Sequence, residues 1–98
     1  MGYKLIITPK AKSHIEKAIV WYKDINDQLP VDFVNSLNAA IEVIISNPLL
    51  FQKVNQKYRK INLSRFPYKV VYTIDEDKLI IAAVIHHKRS NKHWISRK

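Results

Sequence analysis

The sequence predicts an α+β domain in which an antiparallel sheet of about four strands carries an N-terminal helical hairpin on one face. Three observations indicate this fold. Apolar residues recur at helical spacing in the first half of the chain, they alternate with polar residues at a period of two after Pro48, and a short β-branched segment opens the chain. The predicted order is therefore β-α-α-β-β-β, followed by a short terminal segment.

A Thr-Pro pair separates the first predicted strand from the first helix. Residues 3–7, YKLII, contain one aromatic and two β-branched residues, and Thr8-Pro9 stops the segment. Thr8 can cap a helix whose first position is Pro9, where the missing N–H removes no hydrogen bond. Apolar residues then follow at spacings of four and three, which form one stripe of an α-helix: Ala11, Ile15, Ala18, Tyr22, Ile25 and Leu29.

A second amphipathic helix follows a polar break at Asn26 and Asp27. Pro30 suits the beginning of a helix, and the pair Asn47-Pro48 ends it. The apolar residues of this helix are Phe33, Val34, Leu37, Ala40, Ile41, Ile44 and Ile45. Two helices joined by a tight connection predict an antiparallel hairpin.

Three strands are predicted after Pro48. Residues 59–65 and 68–74 alternate in the manner of half-buried strands. An acidic turn at 75–78 leads into residues 79–85, which are all apolar and suit a central strand. The opening strand at 3–7 has no hairpin partner along the chain, so its neighbour in the sheet stays open.

Composition indicates a single domain spanning residues 1–98, because a chain of this length with 47% hydrophobic residues can fill one core and not two. The sequence has no Cys, which excludes disulfides and thiolate metal sites. Its single Gly excludes the Gly-rich loops that hold nucleotide phosphates. The apolar stretches are too short for a membrane span or a signal peptide, so we expect a cytoplasmic protein without a membrane partner.

The positive charge of the chain lies entirely in its second half. Residues 1–50 carry five Lys and five acids, whereas residues 51–98 carry twelve Lys or Arg and three acids, which accounts for the net charge of +9. Such asymmetry indicates contact with a polyanion or with an acidic protein. The alternative is a solvated basic face without a target.

Basic residues of two neighbouring predicted strands are candidates for that contact. Alternation places Lys60 and Asn62 on one face of the sheet. It places Arg59 and Arg65 on the other face, and Lys69 can join either pair. Nearby aromatic side chains either stack on RNA bases or pack in the core, and both interpretations stay open: Tyr58, Phe66 and Tyr68.

The histidines and the C-terminal segment are the remaining polar features. Neighbouring residues of a strand point to opposite faces, so His86 and His87 cannot chelate one ion, and we expect neither a metal nor a cofactor. The terminal segment HHKRSNKHWISRK surrounds Trp94 with cations and contains no acid. We interpret the indole as an anchor that holds these charges against the body of the protein.

Four segments of the chain resemble toxins of the RelE/ParE superfamily of bacterial type II toxin-antitoxin modules. They are TPKAKSHIEKAIVWY, FVNSLNAAIEVIISNP, YRKINLSRFPYKVVYTI and IIAAVIHHKRSNKHW, which together cover nearly the whole chain. The most specific parts are the FPYKVVY strand and the H-x-x-R-x-x-x-x-W ending formed by His86, Arg89 and Trp94. The resemblance implies the same α+β fold and a toxin that a cognate antitoxin neutralises.

RelE-like members of this superfamily cleave mRNA in the ribosomal decoding site, using basic residues and usually a terminal Tyr or His. Cations stabilise the charge that builds on the phosphate, and an acid and a base must lie within reach. The chain departs from that pattern at Asn62, where a second family Lys falls, and at Ile95, near the family's terminal Tyr. The residues that the resemblance offers for catalysis are Lys60, Lys69, Arg89 and His93.

ParE-like members poison DNA gyrase and are not known as nucleases. The Trp21-Tyr22 pair and the FPY strand resemble this plasmid-stabilisation branch, so our first hypothesis is a toxin that binds gyrase without catalysis and has an acidic antitoxin as its partner. The alternatives are a ribosome-dependent endoribonuclease acting on mRNA and a decayed family member that only binds a partner. The candidate partner-binding residues are Arg59, Arg65, Lys88, Arg89, Trp94 and Arg97.

Overall fold

A computed structural model describes residues 2–87, and its order of elements is the one that the sequence predicts. The elements are β1 (Lys4–Ile7), α1 (Pro9–Lys23), α2 (Gln28–Ser46), β2 (Arg59–Asn62), β3 (Tyr68–Asp75) and β4 (Lys78–His86). The α+β fold with a helical hairpin is therefore confirmed. The candidate residues Lys88, Arg89, His93, Trp94 and Arg97 lie outside the described part of the chain.

The four strands form one sheet in the order β1-β4-β3-β2. β2, β3 and β4 are antiparallel neighbours, as predicted, whereas β1 pairs with β4 in parallel, so the sheet is mixed. A parallel pair needs a long connection, and the chain between β1 and β4 contains both helices and two strands. β1 stops opposite Ile81, and β4 continues past it from Ala82 to His86.

Thr8 joins the beginning of α1 to the sheet. Its Oγ1 accepts a hydrogen bond from the Ala11 N–H at 3.1 Å, and the hydroxyl donates to the Ala82 carbonyl at 3.3 Å. Pro9 follows in the first turn, as the sequence predicts. One side chain thus caps the helix and fixes its start against β4.

Replacing Thr8 with alanine should lower the free energy of unfolding by about 1 kcal/mol, because the first turn of α1 loses its side-chain cap. Thr8→Ser keeps the hydroxyl and should retain most of that free energy. Urea unfolding followed by circular dichroism would compare the two variants with the unmodified protein. Equal losses in both variants would show that the methyl group of Thr8, and not its hydroxyl, supplies the stability.

The main core lies between the helices and one face of the sheet. Phe33, Leu37 and Ile44 of α2 are buried against this face. The strands contribute the buried residues Val70, Tyr72, Leu79, Ile81 and Val84. α2 has the length and apolar composition of a membrane span, but a core helix passes the same test, and the buried side of α2 packs against the sheet.

A smaller cluster lies on the opposite face of the sheet, which we call the open face. Val71, Ala83 and Ile85 form it, and Val54 and Tyr58 from the connection before β2 pack against it. No helix among residues 2–87 covers this face. The open face is therefore where β2 and β3 present side chains away from the helical hairpin.

Two details of the predicted pattern are wrong. β2 ends at Asn62, and Arg65 lies in the turn before β3 with a φ of 74°, so the alternation does not continue to Arg65. The turn is held by the Leu63 N–H, which donates to the Tyr68 carbonyl at 2.9 Å. In the first helix the apolar stripe stops early, because α1 ends at Lys23 and leaves Ile25 61% exposed.

Candidate functional site

The open face brings together the basic residues that the sequence could not assign to one side. Lys60 lies opposite Val71 in the β2-β3 register, and Asn62 lies opposite Lys69. Because opposite residues of an antiparallel pair share a face, Lys69 joins Lys60 and Asn62. The sheet register therefore decides between the two arrangements that alternation alone left open.

Lys69 differs from its neighbour Lys60 in burial. Only 6% of Lys69 is exposed, whereas Lys60 is half-buried. Burial lowers the pKa of the Lys69 ammonium group, and the nearby charge of Lys60 lowers it further. An anion approaching the open face would therefore meet Lys60 before Lys69, and Lys69 gives up its proton more readily than an ordinary lysine.

This pKa shift gives the Lys69 contribution to stability a defined pH dependence. The folded protein holds the proton of the Lys69 ammonium group less tightly than the unfolded chain does. The contribution of Lys69 to the free energy of unfolding therefore rises as the pH increases from the lowered pKa to the ordinary value of 10.5. The unmodified protein should therefore gain stability relative to Lys69→Met as the pH rises from neutral to about pH 10.

Urea unfolding of both proteins at the two pH values measures this difference, and Lys53→Met, at an exposed lysine, is the control. The control variant should show a much smaller pH-dependent difference than Lys69→Met. A difference that shrinks for Lys69→Met as the pH rises would contradict the predicted direction.

The structure separates Arg59 from Arg65. Arg59 lies opposite Tyr72, on the helical side of the sheet, and its Nη1 donates to the Phe51 carbonyl at 2.8 Å. Arg65 is exposed in the turn after β2, with its Nη2 3.9 Å from Oδ2 of Asp32. The prediction that both share one strand face is therefore wrong, because the strand ends before Arg65.

The aromatic residues near the basic strands lie mostly in the core. The ring of Tyr68 lies 5.3 Å from that of Phe33 and 5.3 Å from that of His86, and Phe66 is 7% exposed. The interpretation as core residues is thus correct for Phe66 and Tyr68. The interpretation that Phe66 stacks on RNA bases is wrong, because its ring is buried. Tyr58 instead lies on the open face, with the Lys57 Nζ 5.5 Å from its ring centroid.

A cleft of about 400 Å³ lies between α1 and the end of β4, and we call it the α1–β4 cleft. Three of its residues are polar: His14, Lys17 and His86. The others are apolar or aromatic, namely Ala18, Trp21, Tyr22, Tyr68, Val84 and Ile85. Sequence reasoning missed this site, since only the parallel β1-β4 pairing shows that β4 extends beside α1.

His14 fixes one wall of the α1–β4 cleft. Its Nδ1 accepts a hydrogen bond from the Val84 N–H at 3.2 Å, so the neutral imidazole joins α1 to β4. His87 follows β4, is exposed, and donates its N–H to the Pro67 carbonyl at 2.8 Å. Within residues 2–87, no group of three His, Asp or Glu side chains is placed to hold a metal ion.

Comparisons with known proteins agree with this architecture. A chain of the chromosomal ParDE TA system from P. aeruginosa matches with a TM-score of 0.75 and 15% identity, over 86% of this chain and 95% of that one. A chain of the YoeB dimer from Staphylococcus aureus matches with a TM-score of 0.61 and 19% identity, over 87% and 97%. These likenesses concern the fold.

The sequence itself identifies the family. No curated protein matches the chain significantly. Residues 5–91, however, match the family model described as the ParE toxin of the type II toxin-antitoxin system parDE, and this range includes all six elements of the described structure except Lys4 at the start of β1. The chain therefore belongs to the ParE toxin family of type II toxin-antitoxin systems.

Proposed function

We propose that this protein is a growth-inhibiting toxin that binds DNA gyrase in the cytoplasm, that a cognate acidic antitoxin neutralises it, and that the pair serves plasmid stabilisation. The observation that carries the proposal is the ParE family match over residues 5–91. The proposed action is binding, so it requires a contact surface and no catalytic residue.

The open face supports binding more than catalysis. Cleavage through attack by a ribose 2′-OH requires an acid and a base within hydrogen-bond reach of the reacting atoms. Asn62 is exposed on this face and cannot exchange a proton, and Lys69 is almost fully buried behind it. Among the described residues, Lys60 is thus the cation of this strand pair that is best placed to meet a phosphate.

The charge of the chain supports an acidic partner. The excess of cations lies in residues 51–98, and an acidic segment would be steered toward them over a distance of about 10 Å at ordinary salt. Such a segment gains its binding free energy mainly by burying apolar side chains when it becomes ordered on the toxin. Because salt screens the attraction between the charges, association should slow as the salt concentration increases.

A second candidate function is supported by the position of Lys60 and Lys69 on the same face of the sheet. An endoribonuclease could use these two lysines to stabilise a phosphate and move a proton, since the pKa of Lys69 is lowered. In a ribosome-dependent endoribonuclease the catalytic residues would be Lys60, Lys69, Arg89 and His93. A decayed member that only binds a partner is the third candidate, suggested by the asparagine at position 62.

Expression without a partner tests the three candidates together. A gyrase-binding toxin should arrest growth with filamented cells and DNA breaks, and the purified protein should inhibit supercoiling by gyrase. An endoribonuclease should produce ribosome-dependent cuts in mRNA, seen by primer extension, that Lys60→Gln or Arg89→Ala greatly reduces. A decayed member should leave growth unchanged.

The Lys60→Gln variant separates the two toxic functions most directly. It keeps a polar side chain of similar length on the open face and removes one charge. Growth arrest and gyrase inhibition by this variant at the unmodified level support the proposal. The endoribonuclease would replace the gyrase proposal if Lys60→Gln loses both growth arrest and mRNA cuts, and if neither the unmodified protein nor the variant inhibits gyrase.

A further inference from the structure

We propose that a small pocket beside the start of β2 binds the phosphate group of a phosphate monoester the size of a nucleotide. The pocket lies between residues 53–59 and the β3 residues Tyr72 and Thr73, and its volume is about 170 Å³. We call residues 52–58 the strap and this cavity the strap pocket. Among the described residues, it shares no lining side chain with the α1–β4 cleft. This site is independent of the proposed binding to gyrase, since its ligand is a small molecule.

Three cations converge on the strap pocket. Lys53, Lys57 and Arg59 line it, and none of its described lining residues is Asp or Glu. Lys53 lies opposite Arg59 in an antiparallel bridge, so their side chains share one side of the chain pair. Within residues 2–87 no carboxylate forms an ion pair with any of the three. Positive charge that converges without compensation attracts an anion.

Arg59 is held in place before a ligand arrives. It is half-buried, and its Nη1 donates to the Phe51 carbonyl at 2.8 Å. A guanidinium has five N–H donors in a planar fork, so this one hydrogen bond leaves donors for an anion. The same pocket is lined by Tyr72, which is fully buried and donates its hydroxyl to the Pro48 carbonyl. Two backbone carbonyls thus fix these side chains, which reduces the conformational entropy lost on binding.

Hydrogen bonds within the strap fix the backbone of Lys57. Oδ1 of Asn55 accepts hydrogen bonds from the Lys57 N–H at 2.9 Å and from the Tyr58 N–H at 2.8 Å. The Thr73 hydroxyl donates to the Lys57 carbonyl at 2.8 Å and so joins the strap to β3. An Asn side chain that bonds the backbone two residues on holds a turn without regular secondary structure. The strap therefore presents Lys57 from a defined position.

The size of the strap pocket suits a single phosphate group. Cavities that enclose a whole drug-sized ligand measure about 300–1,000 Å³, and the strap pocket is smaller than that. A phosphate monoester carries a charge of about −1.5 to −2 at neutral pH and has three terminal oxygens, which match three converging cations. The organic part of the ligand must then lie outside the strap pocket.

A larger cleft next to the strap pocket can receive that organic part. Its volume is about 780 Å³, and five of its lining residues also line the strap pocket. Ile80 and Ala82 give it apolar walls, and Lys57 is the only cation among its described lining residues. Asp75 also lines it, and this carboxylate repels a second phosphate but accepts a hydrogen bond from a ribose hydroxyl or a base amino group. A mononucleotide therefore suits the two cavities better than a nucleic-acid strand, whose successive phosphates need a continuous cationic groove.

Isothermal titration calorimetry with adenosine 5′-monophosphate tests the proposal on the full chain. The nucleotide should bind, and adenosine, which lacks the phosphate, should not. Lys53→Gln and Lys57→Gln should each weaken binding about fivefold, and Arg59→Gln on the order of tenfold, because its guanidinium is the best fixed of the three cations. The matched controls Lys10→Gln and Lys12→Gln each remove one exposed lysine of α1 and should change binding less than twofold.

Two further measurements complete the test. Adenosine 3′,5′-cyclic monophosphate has a phosphodiester with a single negative charge, so it should bind more weakly than the monoester. Circular dichroism of Arg59→Gln shows whether this variant folds, since the substitution also removes the hydrogen bond to Phe51. If this variant unfolds, Lys53→Gln and Lys57→Gln alone decide the outcome.

Four outcomes would overturn the proposal. The first two are absence of nucleotide binding to the unmodified chain and equally tight binding of adenosine. The third is an equal loss of affinity in the α1 controls, which would mean that net charge alone attracts the nucleotide. The fourth is a short single-stranded DNA without a terminal phosphate that binds more tightly than the nucleotide and loses affinity in the strap variants. That result would assign the three cations to a nucleic-acid backbone.

Discussion

Replacing Phe33 with alanine is expected to lower the free energy of unfolding by about 4 kcal/mol, the largest stability change predicted for this protein. Phe33 is fully buried, and its ring lies 5.4 Å from that of Phe66 and 5.3 Å from that of Tyr68. The substitution removes a large apolar side chain and its edge-to-face contacts, and it leaves a cavity where α2 meets the sheet. Small domains have only about 5–15 kcal/mol of stability, so most of the margin would be lost.

Thermal unfolding followed by circular dichroism measures this effect, with an expected fall in Tm of about 20 °C. Val31→Ala is the matched control, because Val31 lies on the same helix but is 51% exposed. It should change the free energy of unfolding by less than about 0.5 kcal/mol. A loss below about 1 kcal/mol for Phe33→Ala would mean that α2 does not pack on the sheet as described.

Local patterns were sufficient to predict the helices and most strands. Thr8 and Pro9 predict the start of α1 because the cap and the missing N–H act within one turn, and the structure places the Thr8 hydroxyl on the Ala11 N–H. The hydrophobic period likewise separates α2 from the strands, since each period reflects which side chains share a face. These are short-range effects, so the sequence contains them directly.

Long-range pairing could not be predicted in the same way. Nothing within YKLII shows that β1 lies parallel to β4, because that pairing joins Lys4 to Lys78 across most of the chain. Arg65 was misplaced for a related reason. Its side chain suits the alternation, but the hydrogen bond between Leu63 and Tyr68 closes a turn there, and that closure depends on a different segment.

The candidate site shows the same division between local and long-range information. Alternation predicts that Lys60 and Asn62 share a face, but only the register with β3 brings Lys69 beside them. The α1–β4 cleft was not predicted at all, although Trp21 and His14 are visible in the sequence. Its position depends on β4 extending past β1, which is a difference in strand length between partners far apart in the chain.

Two surfaces thus lie on different parts of the molecule. The open face carries Lys60, and the α1–β4 cleft carries Lys17 and Trp21. The candidate partner-binding residues Lys88, Arg89 and Arg97 lie in the basic segment 88–98, which contains no acid.

Reversing three charges in this terminus should therefore abolish growth arrest. The variant Lys88→Glu, Arg89→Glu and Arg97→Glu changes candidate partner-binding residues and should weaken binding to the proposed target, gyrase, on the order of 100-fold, since close like charges replace attractive ones. The α+β fold should persist, because β4 ends at His86 and the core residues of the described part of the chain lie before that position. Growth on induction, gyrase supercoiling and circular dichroism measure the three expectations separately.

The matched control reverses three exposed lysines of α1, Lys10, Lys12 and Lys23, and so produces the same net charge at a different place. If the location of the charge matters, this control should still arrest growth, whereas the terminal variant should not. If both variants lose activity equally, net charge alone accounts for the binding, because an effect of overall charge does not depend on which lysines carry it. Lys88, Arg89 and Arg97 would then have no special role in binding and would be removed from the candidate partner-binding residues.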